Sequence, residues 1–169
     1  YWTPAFGITL KSNTELGGVV NPHGGEVPVT DRYFLGGLGS VRGFPALTLS
    51  PVEAVPTTDG GSVDLEVGGV VRLVQNLELE FPLWPQTPFR GFLFVDGGNA
   101  FNEGELAAVF AGTAIDRGAT LPGGLFFSTG FGVLIETPVL PFRFEWSVPL
   151  TARAGDQPIS FFLGIGSAF

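Results

Sequence analysis

Apolar and polar residues alternate with a period of two through most of this chain. In Pro141–Leu150, Phe142, Phe144, Trp146, Val148 and Leu150 fall on one face of an extended segment, with Arg143, Glu145 and Ser147 on the other. In Val70–Leu83, Val71, Leu73, Leu77, Leu79, Phe81 and Leu83 oppose Arg72, Asn76, Glu78 and Glu80. Ile159–Phe169 sets Ile159, Phe161, Leu163, Ile165 and Phe169 against Ser160, Gly164, Gly166 and Ala168, with Phe162 the exception. Three further segments follow the rule less cleanly. Residues 4–15 alternate Phe6, Ile8 and Leu10 with Thr9, Lys11 and Asn13. Residues 89–101 set Leu93 and Val95 against Arg90 and Asp96, but Phe92 and Phe94 fall on the polar side. Residues 125–137 set Phe127, Phe131, Val133 and Ile135 against Ser128, Gly130, Gly132 and Glu136. Six antiparallel strands are predicted, each of about 10–14 residues, long enough to cross an outer membrane at a tilt. Phe142, Phe144, Trp146 and Phe161 should face lipid, and Arg143 and Glu145 the interior.

The connectors alternate in kind. Trp84–Pro88 and Thr137–Pro141 are short and marked by proline, whereas 16–69 and 102–124 are long and rich in Gly, Pro, Asp and Thr. Short turns at one end and long loops at the other are the pattern of an up-and-down transmembrane β-barrel; a secreted β-sandwich has no need to segregate them. Closed barrels start at about eight strands, and an open sheet in lipid leaves unpaired backbone at both edges. Six strands therefore leave three arrangements: the C-terminal part of a larger barrel, a small closed eight-stranded barrel with two strands hidden in the long loops (around 45–56, for example), or a barrel shared between chains.

Composition agrees. Charged residues are 14% of the 169 and mean hydropathy is +0.35, yet no apolar run is long enough for a transmembrane helix. Cysteine is absent and His23 is the one histidine, which removes thiolate sites and His-cluster chemistry. A formal charge of −8 with no basic stripe excludes a nucleic-acid partner. No nucleophile–base pairing and no cofactor motif stands out, so neither an enzyme nor a cofactor is expected. The sequence has no initiator Met and no signal-peptide pattern, as in a mature or excised piece.

One stretch breaks the strand pattern: Tyr33-Phe-Leu-Gly-Gly-Leu-Gly-Ser-Val-Arg-Gly-Phe44, glycine-dense and holding a single arginine. Its glycines let backbone approach a wall closely, and a guanidinium can donate in fork geometry to carboxylates such as Glu80 and Asp96 on the polar face. Read by itself, Arg42 is more readily an ordinary solvated loop arginine. Val41-Arg-Gly-Phe44 resembles the signature of the outer-membrane protein 85 (BamA-type) superfamily. The motifs downstream resemble that family in order: a strand ending Leu79-Glu80-Phe81, then Phe94-Val-Asp-Gly-Gly-Asn-Ala-Phe101, Ser128–Pro138, a Pro-Phe-Arg-Phe strand, and a terminal strand ending in Phe.

The resemblance covers nearly the whole chain. It implies the last six strands of a barrel of about sixteen, in a bacterial outer membrane. The loop of about 16–69 would turn into the lumen, where Arg42, Gly43 and Phe44 would meet Glu80 and Asp96. It also implies a terminal-strand recognition signal in Phe161, Leu163, Ile165 and Phe169. The function implied is assembly and insertion of nascent β-barrel proteins, with outer-membrane lipid, nascent outer-membrane chains, and periplasmic lipoproteins or upstream repeat domains as partners. Two alternatives stay open: a polypeptide pore of the two-partner-secretion kind, and a small passive barrel. Gly164 and Gly166 either loosen the last strand or simply give room for packing inside.

Overall fold

The computed structural model describes residues 2, 7–112, 124–153 and 155–166. Six strands form one antiparallel sheet: β1 (Thr9–Gly18), β4 (Val71–Pro82), β5 (Phe89–Phe101), β6 (Phe126–Ile135), β7 (Phe142–Pro149) and β8 (Ser160–Ile165). Among the described residues each pairs only with its neighbours in this order, β1 and β8 standing at the two edges, so the meander is up-and-down. Between β1 and β4 lies a separate hairpin of β2 (Val52–Pro56) and β3 (Ser62–Glu66), exposed along both strands. Its turn is closed by Asp59, whose carboxylate is held below its ordinary pKa by the Thr57 hydroxyl and the Gly61 amide. Two strands are thus present in the long loop, but among the described residues they form a sheet of their own and do not extend the six-stranded sheet to the eight strands of a small closed barrel.

The first strand begins at Thr9 and runs to Gly18, later than the expected 4–15; residues 3–6 lie outside the described set. The polar residues Ser12 and Thr14 on its outer side hid the register, which is fixed by β4: Lys11 opposite Glu78 and Leu16 opposite Leu73. The long loop consequently starts after Gly18. The segment after β5, expected as plain loop, opens with helix α1 (Glu103–Phe110), nucleated by a capping box in which Asn102 and Glu105 satisfy each other's backbone amides.

Register places like residues in rows. Leu10, Leu79, Leu93, Phe131, Trp146 and Phe161 are successive cross-strand partners spanning all six strands. Phe131 stacks on Trp146 at 5.5 Å, and Trp146 meets Phe161 at 5.1 Å. This face is apolar and open: Leu93, Phe131, Phe161 and Leu163 are each at least half exposed. Arg143 and Glu145 lie on the opposite, covered face. Each exposed leucine or phenylalanine of the open face is worth about 1.5–3 kcal/mol once removed from water, so the face calls for lipid.

The covered face is packed by the loop between β1 and β4. Val41, Phe44, Leu35 and Leu49 from the loop bury against Val74, Ala100 and Phe126 of the sheet. Phe44 meets Phe126 edge-on at 5.6 Å. The long connectors (19–70, 102–125 and 150–159) all leave one end of the sheet, and the short ones (83–88 and 136–141) leave the other.

Candidate functional site: an arginine seated on the covered face

Five residues before the loop returns to its wall, Gly36 and Gly37 adopt φ of +109° and +85°, a region open to glycine. The Gly37 amide donates to the Phe44 carbonyl at 3.0 Å, and the Gly36 amide to the Ser40 hydroxyl at 2.7 Å, closing residues 36–44 into a compact turn. Asn76 of β4 donates its side-chain amide to the Ser40 carbonyl at 2.6 Å. Gly43, at φ +92°, lies so close to the wall that a Cβ would come within 3.2 Å of Ser128 Cβ and 3.5 Å of Ser147 Cβ.

This turn delivers Arg42 to the centre of the covered face, 2% exposed. Its Nε donates to Asp96 Oδ2 at 2.6 Å and its Nη2 to Asp96 Oδ1 at 2.8 Å, a two-pronged fork. The backbone amide of Arg42 adds a third bond to the same carboxylate at 3.1 Å. Nη1 donates to Glu78 at 2.9 Å and to Glu145 at 3.2 Å. Burial works against the charge, but Asp96, Glu145 and Glu78 outweigh it and hold the guanidinium pKa above its ordinary value.

Beneath the guanidinium lies Phe94, its ring centroid 3.6 Å away; Arg143 sits in the same way over Phe92 at 4.1 Å. The two phenylalanines that broke the alternation are therefore the floor of the site. They lie flat because their partners across the ladder are Gly130 and Gly132, where any Cβ would collide with the rings and with the β7 backbone. Phe–Gly pairing across a strand gives the ring a place to lie down and shields the glycine backbone.

Glu78 is the hub. It accepts from Arg42 and from both Nη atoms of Arg143, at 2.7 and 3.2 Å, and lies 3.7 Å from Lys11. Arg143 Nε also donates to Glu145 at 2.9 Å. Glu80, expected as a partner of Arg42, is drawn to other cations: it pairs with Lys11, with Arg90 at 3.4 Å and with Arg143 at 3.9 Å. The reason is position. Register sets Glu80 opposite Phe92 and Thr9, one row away from Glu78, which faces Phe94 and Lys11. Among the described residues four cations (Lys11, Arg42, Arg90, Arg143) meet four largely buried carboxylates (Glu78, Glu80, Asp96, Glu145), so the buried part of the network is neutral, with the exposed Glu136 reaching Arg90 at 3.9 Å from its rim.

The loop thus brings together Arg42 and Asp96, with Gly43 and Phe44 packed beside them. Glu78 and Glu145, read from the sequence only as interior charges, complete the seat. Their signal was available: Glu78 is two residues from Glu80 and must share its face. Phe161, Leu163 and Ile165 lie on the open apolar face of β8, while Phe169 falls outside the described residues.

A model of the Omp85 superfamily domain matches residues 2–169. The outer membrane protein assembly factor BamA of Neisseria meningitidis serogroup B is 27% identical over 184 residues, covering 97% of this chain and 22% of that protein. A SAM50-like protein of Schizosaccharomyces pombe is 26% identical over 153 residues, covering 88% of this chain and 29% of its own length. The fold is that of the crystal structure of BamA from Haemophilus ducreyi lacking POTRA domains 1–3, with a TM-score of 0.69 at 23% identity over 94% of this chain and 31% of that one. The chain spans between 22% and 29% of the length of these curated relatives.

Proposed function

The chain belongs to the Omp85 superfamily and to the outer membrane, and on that footing we propose that it is the C-terminal barrel portion of a factor that assembles nascent β-barrel proteins. Its open face meets lipid. Its covered face lines the lumen and is occupied by the loop of Arg42. The observation that carries the reading is the seat of Arg42 on Asp96, Glu78 and Glu145, which ties the lumen loop to β4, β5 and β7 at once.

The working edge in this reading is β8. Among the described residues it is the shortest strand of the sheet, with six residues, and its outer edge has no strand partner. Backbone groups left unpaired in hydrocarbon cost several kcal/mol each, so an incoming strand gains by pairing there. Gly164 weakens the strand without serving its packing: a Cβ there would touch only Arg143 Cβ, at an ordinary 3.6 Å. Gly166, at φ +102°, is a backbone requirement instead. The apolar row Phe161, Leu163, Ile165 fits both a lipid-facing strand and the terminal signal. Nascent outer-membrane chains are the substrates of this reading, and periplasmic lipoproteins or upstream repeat domains its partners.

Reconstitution tests it. The protein in proteoliposomes should speed folding of a denatured β-barrel substrate, read by heat-modifiable gel mobility, and Arg42→Ala should remove most of that acceleration. Folding no faster than in empty liposomes would overturn the reading; selective passage of a secreted polypeptide instead would point to the pore.

A further inference from the structure

We infer that Arg153, in the connector between β7 and β8, is a positioning residue that latches the arginine loop to the terminal hairpin. Its Nη1 donates to the Thr48 carbonyl at 2.8 Å and its Nη2 to the Thr48 hydroxyl at 3.1 Å, reaching 105 residues back along the chain. Asp156 orients the guanidinium, accepting from Nε and Nη2 at 3.3 Å each and from the Arg153 amide at 2.7 Å. The guanidinium also lies 5.2 Å from the ring centre of Phe126, whose edge contact is Phe44 of the arginine motif.

The segment it grips is strained. Leu47, beside Thr48, holds φ at +67°, a conformation unfavourable for a leucine that is mostly exposed and has little packing to hold it. Strained backbone persists where its surroundings over-determine it, and Arg153 supplies that constraint on one side. A second tie lies nearby: Ser160, the first residue of β8, donates its hydroxyl to the Gly43 carbonyl at 3.4 Å. The loop is therefore fastened at Arg42 to the middle of the sheet, and at Thr48 and Gly43 to the β7–β8 end. Peeling β8 from β7 at Ser160 loads the arginine loop, and a displaced loop frees the start of β8. In the assembly reading, on which this consequence rests, the latch couples the terminal edge to the lumen.

Hydrogen exchange of the protein in lipid nanodiscs tests it. The Gly37 and Leu49 amides, bonded to the Phe44 and Leu35 carbonyls, report the loop. Arg153→Ala should raise their exchange about tenfold, the scale of a lost charged hydrogen bond, and raise that of β8 as well. Amides of β4 and β5 around Leu79 and Leu93 should not change. Arg153→Lys should not restore protection, since one ammonium cannot stack on Phe126 and serve both Thr48 oxygens and Asp156. Asp156→Asn, which keeps the arginine but removes its orienting charge, should show the same loosening to a lesser degree and serves if Arg153→Ala fails to fold. Wild-type exchange in Arg153→Ala, or in Asp156→Asn where that variant stands in, or full protection in Arg153→Lys, would overturn the latch. Exchange needs no substrate. Substrate folding no faster than in empty liposomes, together with a loosened loop in Arg153→Ala, would thus sink the assembly reading and leave the latch standing.

Discussion

Phe94 lies flat across Gly130 of the neighbouring strand, and the guanidinium of Arg42 rests on its upper face, 3.6 Å from the ring centre. Glycine, ring and cation form one stack, and each layer depends on the one below. Gly130→Ala should lift the ring and disturb Arg42 without touching any charge. We expect a loss of about 1–3 kcal/mol, the usual cost of overpacking, seen as a lower urea midpoint in lipid. Arg42→Ala in the same background should then cost less than in the wild type; full additivity would mean the stack is not a unit.

Arg42 and Asp96 should couple strongly. Removing one partner of a buried ion pair costs about 3–5 kcal/mol by leaving the other charge stranded. A double-mutant cycle of Arg42→Ala with Asp96→Asn should show a coupling well above that of Arg42→Ala with Glu80→Gln. Equal couplings would contradict the partner assignment. Arg42→Lys keeps the charge but loses the fork and should behave closer to Ala than to Arg.

Glu78→Gln should be the most damaging single carboxylate change, because Glu78 meets Arg42, Arg143 and Lys11 together, whereas Glu145 meets only the two arginines. Glu80→Gln should cost less, since its main cations, Lys11 and Arg90, are part-exposed and can turn to water. Thermal unfolding in one detergent, with all carboxylate variants side by side, ranks them.

Leu93→Arg puts a charge in the middle of the apolar cross-strand row. It should cost about 2–4 kcal/mol if that row sits near the bilayer midplane. The same change at Leu16, near the long-connector end of β1, should cost about 1 kcal/mol or less. Folding titrations in urea with lipid vesicles measure both, and equal costs would place the membrane elsewhere.

Gly164→Ala should be tolerated by the fold, with a gain in β8 stability of about 0.5–1 kcal/mol. In the assembly reading the firmer strand should slow substrate folding. Faster assembly, or none of the added stability, would remove the loosening role from this glycine.

The strands were readable because alternation over ten residues admits one burial pattern, and Phe142, Trp146 and Arg143 could hardly sit otherwise. What alternation cannot give is register between strands. Asp96 was identifiable as a carboxylate facing inward, but whether Arg42 would meet Glu78 or Glu80 depends on a two-residue offset set by pairing among β4, β5 and β7. Phe92 and Phe94 looked like faults in the pattern for a related reason. Their role depends on Gly130 and Gly132, more than thirty residues away, and on cations farther still, Arg42 from the loop over Phe94 and Arg143 of β7 over Phe92. The hairpin β2–β3 was legible as a chance of extra strands, not as a separate sheet, because its Val and Leu residues alternate without any sheet to bury them. Arg153 carried no sequence signal, since its partner is chiefly a backbone carbonyl.

The neutrality of the interior network has an electrical consequence. With four of the 8 basic and four of the 16 acidic residues cancelling inside, the whole formal charge of −8 falls outside the network. Among the described residues it falls unevenly. Glu26, Asp31, Glu53, Asp59, Asp64, Glu66, Glu103, Glu105 and Asp156 all belong to the long-connector end, against Arg32 and Arg153 there, while the short-turn end holds Glu136. The described part of the sheet is polarised from end to end, with an excess of carboxylates at the long-connector end and little net charge at the short-turn end. At physiological ionic strength the field of that acidic end is felt over about 8 Å of solvent, so it draws cations to the ends of the long connectors rather than to the short turns.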